Sequence, residues 1–104
     1  MAKELEIVDP QKSFLEFFKK EKYRQRISQM AIAGRESITI DFEDLFAFDQ
    51  SLAEKLMEKP DAFLQHASNA AYEQLEIEDA EYAQKIDKVT VRVVQLLGKE
   101  QLRK

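Results

Sequence analysis

The stretch SITIDFEDLFAFDQSLAEKL, Ser37–Leu56, starts with the periodicity of a strand and ends with that of a helix, in a chain whose other apolar residues recur mostly at helical spacing. Ile38, Ile40 and Phe42 fall on one side of a pleat and Ser37, Thr39 and Asp41 on the other, the period of two that marks a half-buried strand. A strand cannot stand alone, because its main-chain donors and acceptors need a ladder partner. One other segment, KVTVRVV (Lys88–Val94), is similarly β-branched and alternating, with Val89, Val91 and Val93 on one side and Thr90 and Arg92 on the other. The two are expected to pair over about residues 37–42 and 88–95. The 47 residues separating Ile40 from Lys88 permit either strand direction.

Around this pair the pattern is helical. Asp9 and Pro10 form a cap and first-turn pair, after which Phe14, Phe17 and Phe18 recur at i, i+3 and i+4. Tyr23, Ile27 and Met30 continue the stripe up to Gly34, a residue suited to a left-handed helix end. Two helices with a break near Lys20–Lys22, or one bent helix, fit equally well. After the first strand Asp41 is expected to cap a short helix that turns Leu45, Phe46 and Phe48 inward. SLAE, Ser51–Glu54, has the form of a capping box for a helix burying Leu52, Ala53 and Leu56. Pro60 is expected to end that helix and Asp61 to cap the longest one, with Phe63 or Leu64, Ala67, Ala70, Ala71 and Leu75 on its buried face. Asp79 is expected to cap a last short helix carrying Tyr82, Ala83 and Ile86. The expected fold is mostly α, a small helical bundle with a minor two-strand β pairing.

At 104 residues the chain corresponds to a single domain, burying about two-thirds of the surface that its unfolded form exposes. A hydrophobic fraction of 44% beside a charged fraction of 35% is expected to give a folded interior under a charged surface. The absence of cysteine excludes disulfides, thiolate zinc sites and cysteine nucleophiles, and agrees with a cytoplasmic location. The amino terminus MAKELEIVD has no secretory pattern, and no apolar run approaches the roughly 20 residues that span a bilayer. No membrane partner is expected. The polar tail GKEQLRK, from Gly98, ends without a stop signal, as in a fragment of a longer protein.

Searching for chemistry gives little. The two glycines, Gly34 and Gly98, lie far apart and outside any phosphate-cradling motif. His66 is the single histidine and is expected to be an ordinary surface or boundary residue. EIEDAE, Glu76–Glu81, lacks the glycine and oxygen-ligand spacing of a calcium loop and is expected to form a solvated turn between helices, in which Glu78 is dispensable. No catalytic, cofactor-binding or metal-binding residue is assigned, and the chain is expected to be no enzyme by itself.

Charge is distributed unevenly. Residues 41–87 hold thirteen acids and three bases, a net −10, whereas the flanks together carry +6. An acidic body repels a phosphate backbone. KKEKYRQR, with Lys19, Lys20, Lys22, Arg24 and Arg26, is the local candidate for contacting DNA, although helical geometry spreads its charges around the cylinder and Tyr23 fits the core beside Ile27.

Taken in order, FLEFF, YRQRISQM, SITIDFEDLFAFDQSLAEKL, EKPDAFLQHASNAAYEQL and KVTVRVVQL resemble the amino-terminal region of archaeal minichromosome maintenance (MCM) proteins, the replicative DNA helicases. The resemblance spans nearly the whole chain and is densest over Ser37–Leu56. It implies the helical subdomain A of the family, followed in a longer parent by an oligonucleotide-binding barrel, a zinc-binding module and an ATPase motor. ATP, magnesium and zinc would belong to that parent and none to this chain. The implied function is non-catalytic: regulation and assembly on the outside of a hexameric ring, modulating DNA access in replication. Its partners would be the other domains of the same chain, neighbouring subunits and, weakly or indirectly, DNA in the nucleoid. The alternative is an independent DNA-binding module acting through Lys19–Arg26.

Overall fold

The computed structural model describes residues 9–95. Six helices and two strands follow in the order α1 (Pro10–Phe18), α2 (Glu21–Ala33), β1 (Ser37–Asp41), α3 (Phe42–Phe48), α4 (Gln50–Glu58), α5 (Pro60–Glu78), α6 (Ala80–Ala83) and β2 (Thr90–Val94). The amino-terminal residues and the polar tail from Gly98 lie outside the described residues. No helix among those described is long and apolar enough to cross a membrane.

The two β-branched segments pair with each other, and they run parallel, with Ser37 opposite Thr90, Thr39 opposite Arg92 and Asp41 opposite Val94. The long excursion through α3 to α6 is what lets a parallel pair form, since a hairpin turn could join only antiparallel strands. Ile38, Ile40, Val89 and Val91 are buried. Phe42, placed on the strand by its alternation, instead opens α3, and the ladder ends one residue earlier at Asp41.

The first two helices are separate. Lys20 adopts an extended backbone (φ −63°, ψ 145°) between them. Asp9 caps α1 by accepting from the Lys12 amide at 3.1 Å, and Gly34, at φ 72°, closes α2. There the Arg35 amide reaches Met30 O at 2.9 Å and the Gly34 amide Ala31 O at 3.1 Å, the double bond of a left-handed helix stop. Phe14, Phe17 and Phe18 are fully buried. Phe17 lies 4.5 Å from the Tyr23 ring and 5.4 Å from Phe48, so one aromatic cluster joins α1, α2 and α3.

Helix α5 is the axis, touching α1, α2, α4, α6 and β2. Ala67, Ala70 and Ala71 are fully buried along its stripe, and such small side chains let neighbouring helices approach closely. Three caps differ from expectation. Asp49 rather than Ser51 caps α4, accepting from the Leu52 amide at 3.1 Å, so Ser51 sits within the helix. Pro60 starts α5 instead of ending α4, with Asp61 in its first turn, because a first-turn proline gives up no helical hydrogen bond. Asp41 makes no side-chain cap at α3, its carboxylate being held elsewhere. Phe46 points partly outward, 41% exposed, beside Phe42.

Glu78 is not a solvated bystander. It accepts from Arg24 Nε at 3.2 Å and from Nε2 of the buried Gln74 at 2.8 Å, tying α2 to the end of α5. Ile40 and Glu76 therefore make the instructive contrast. Ile40→Ala leaves a cavity behind a fully buried strand residue and should cost about 2–4 kcal/mol, while Glu76→Gln on the exposed face should stay within about 0.5 kcal/mol. Urea melts of the two variants check the assignment of the inward face.

Candidate functional site

Among the described residues the sheet has two strands, so each strand has an outer edge. Thr90 N–H donates to Glu36 O at 2.8 Å, and in a parallel ladder alternate residues bond across. With the observed register, Ile38 and Ile40 turn their main-chain groups toward β2, and Thr39 and Asp41 turn theirs toward the outer edge of β1. That edge is met by side chains of α2. Arg26 Nη1 donates to Thr39 O at 2.7 Å, and the Asp41 amide donates to the Tyr23 hydroxyl oxygen at 3.0 Å. On the other side of the sheet the Ser68 hydroxyl of α5 donates to Val89 O.

Tyr23 completes a relay, donating its own proton to Asp44 at 2.7 Å. Lys22 bridges Asp44 at 2.6 Å and Asp41 at 3.1 Å, and Arg26 Nη2 reaches the same Asp41 oxygen at 3.2 Å. The arrangement ties α2, β1 and α3 at one corner. Hydrogen bonding to Asp44 and Asp41 raises Lys22 above its ordinary value, and the bond from Lys22, joined by that from Tyr23, holds the Asp44 carboxyl below its own. Burial pushes the Tyr23 phenol up, so it stays protonated and donating.

The five bases expected to contact DNA are thus distributed over several neighbours. Lys22 and Arg26, one helical turn apart, face β1 and α3. Arg24 points the other way, to Glu78. Lys20 lies over the Phe48 ring at 5.4 Å, and Lys19 approaches Glu16 at 3.8 Å. They do not form one basic face. His66 is half-buried with its ring edge-on to Phe63, at 5.7 Å between centroids. Among the described residues no group of three or more His, Asp or Glu side chains is placed to hold a metal ion.

A second positive region was not singled out from the sequence. Arg26, Arg35 and Arg92 line one groove of about 610 Å³ along the outer face of β1. Their sequence positions are distant, and only the parallel register, which sets Arg92 beside Thr39, unites them. Gln74 was also missed, although it lies i+3 from Ala71 and i+4 from Ala70 on the buried stripe of α5; its Oε1 is buried without a hydrogen-bond partner among the described residues.

The sequence model of the MCM N-terminal domain family matches residues 11–95. A similar curated protein is the minichromosome maintenance protein MCM of Saccharolobus solfataricus, 29% identical over 107 aligned positions. The alignment covers 99% of this chain and 16% of that relative, so the chain corresponds to a small part of the relative's length.

Two substitutions test the corner. Tyr23→Phe keeps the ring but strips the Asp41 amide of its acceptor and Asp44 of a donor, and should lower stability by about 1–2 kcal/mol. Asp44→Asn should cost about 1 kcal/mol at neutral pH, kept small by solvent screening of a partly exposed pair. Because folding depresses the Asp44 carboxyl below its ordinary 3.8, its contribution is complete above that value and vanishes as pH falls through the depressed native one. Thermal melts should therefore show a gap of a few degrees between the wild type and Asp44→Asn at pH 7 that persists down to about pH 4 and closes only as pH falls further, through the depressed native value.

Proposed function

Because the chain belongs to the MCM N-terminal domain family, we propose that it is a non-catalytic regulatory and assembly domain of a ring-forming replicative DNA helicase. In this reading the domain sits on the outside of the ring and works as a rigid body that modulates DNA access and helicase output. ATP, magnesium and zinc are assigned to parts of a longer protein beyond this domain. Its partners are those parts, the neighbouring subunits and DNA.

The observation that supports a rigid body is the parallel pairing of β1 with β2. β1 is embedded in the bundle through α2, and β2 is the last element described, so motion at the carboxyl-terminal end must carry the whole bundle with it. The acidic composition of residues 41–87 favours a peripheral place over one lining a DNA channel. A freestanding DNA-binding module acting through Lys19–Arg26 is the weaker reading, since Lys22, Arg24 and Arg26 each already hold a carboxylate of the same domain.

Removing residues 1–95 from the full-length protein should leave ATP hydrolysis within a few-fold of normal while changing strand unwinding or DNA loading. The isolated chain should hydrolyse no ATP. Turnover by the isolated chain, or unwinding and loading unaffected by the deletion, would contradict the reading.

A further inference from the structure

The groove along β1 has a composition that the tie between the strands does not require. Arg26, Arg35 and Arg92 line it together with the polar side chains of Gln29, Ser37 and Thr39. Thr39 neighbours two of the three arginines. Arg92 stands opposite it in the ladder, and Arg26 donates to its carbonyl oxygen. Arg35 follows the Gly34 turn, its main chain fixed by the Tyr82 hydroxyl donating to Arg35 O at 2.7 Å. Asp41 is the single acid in the lining, and Lys22 and Arg26 already pair with it. The guanidinium groups of Arg35 and Arg92 have no ion-pair partner among the described residues and are exposed. In a body of strongly negative composition, this is a local positive pocket.

We propose that this groove is a binding site for a phosphate-bearing anion, read by Arg35 and Arg92, while Arg26, held by Thr39 O and Asp41, lines the groove beside them. Guanidinium groups suit phosphate oxygens because their planar donors bind them in pairs. The volume, about 610 Å³, lies within the range of roughly 300–1,000 Å³ typical of small-ligand sites. An extended acidic peptide fits less well. Tyr23 and Arg26 already occupy main-chain groups at the edge of β1, so such a peptide could not add as a further strand. No aromatic ring lines the groove, so stacked bases find no platform and recognition rests on the phosphate alone. Free polyphosphate and the phosphodiester backbone of nucleic acid share this chemistry. The proposal stands on the groove and does not depend on the helicase reading.

The test is titration of the 104-residue chain at low salt with inorganic tripolyphosphate, with a 20-base-pair duplex and with a deca-glutamate peptide, followed by amide and arginine side-chain NMR shifts. Tripolyphosphate should shift Arg35, Thr39 and Arg92, and the double variant Arg35→Gln/Arg92→Gln should bind about tenfold or more weakly while melting like the wild type. If the duplex behaves likewise, with its salt slope reduced by about two in the variant, the backbone is the source; tripolyphosphate binding without duplex binding identifies a free polyphosphate. The proposal is overturned if neither phosphate ligand binds, or if deca-glutamate binds as tightly as tripolyphosphate. An equal loss in the charge-matched Lys59→Gln/Lys85→Gln variant, or shifts centred on Lys19 and Lys20, would overturn it as well. None of these outcomes alters the deletion experiment on the full-length protein, so the two readings fail separately.

Discussion

Two strands make the smallest sheet there is, and each presents an edge to something other than a strand. An edge left in an apolar surrounding leaves amides and carbonyls without partners, at a penalty of about 1–3 kcal/mol for each buried group. This domain meets the constraint with side chains. Tyr23 and Arg26 of α2 bond the outer edge of β1, and Ser68 of α5 bonds the main chain entering β2. The sheet is thereby wedged between two helices that are themselves joined through the Arg24–Glu78 pair. The aromatic cluster of α1 ends on Tyr23, so the ring that packs the core also carries the hydroxyl that closes the strand.

That double use explains the otherwise costly concentration of charge at one corner. Lys22, Arg26, Asp41 and Asp44 are partly exposed, and pairs of this kind contribute little to stability singly. Their effect here is directional. Lys22 and Arg26 hold the carboxylates in place, Asp44 orients the Tyr23 hydroxyl, and its oxygen accepts the Asp41 amide. The charges specify where β1 ends and α3 begins more than they add to the free energy of folding. The same geometry pairs Lys22, Arg24 and Arg26 with carboxylates of the domain and leaves Arg35 and Arg92 as cations without an acidic partner among the described residues, on the outer face of the sheet.

Much of this was legible in the sequence because it depends on periodicity. The alternation in Ser37–Asp41 and Thr90–Val94, the Phe14, Phe17 and Phe18 stripe, the alanine face of α5, the Gly34 stop and the Asp79 cap are local patterns, and each appears in the structure. The MCM family assignment follows the same segments. What escaped was set by tertiary competition. Asp41 has the form of a helix cap, yet Lys22 and Arg26 take its carboxylate; Ser51 has the form of a capping box, yet Asp49 lies one residue before the helix and fills that role. Glu78 looked solvated because its partners, Arg24 and Gln74, could be placed only once α2 was packed against α5. The arginine groove needed the parallel register, which the 47-residue interval left open.

The central claim is that the strand pair is as firmly held as the helical core and opens only with it. Native-state hydrogen exchange on the Ile40 and Arg92 amides measures this directly, against the Ala70 and Ala71 amides of α5 as the reference for global unfolding. The account predicts equal opening free energies at all four positions, falling together as urea is added. Exchange of Ile40 and Arg92 through a local opening several kcal/mol easier than that of α5 would show the strands to be a loose attachment and would contradict it.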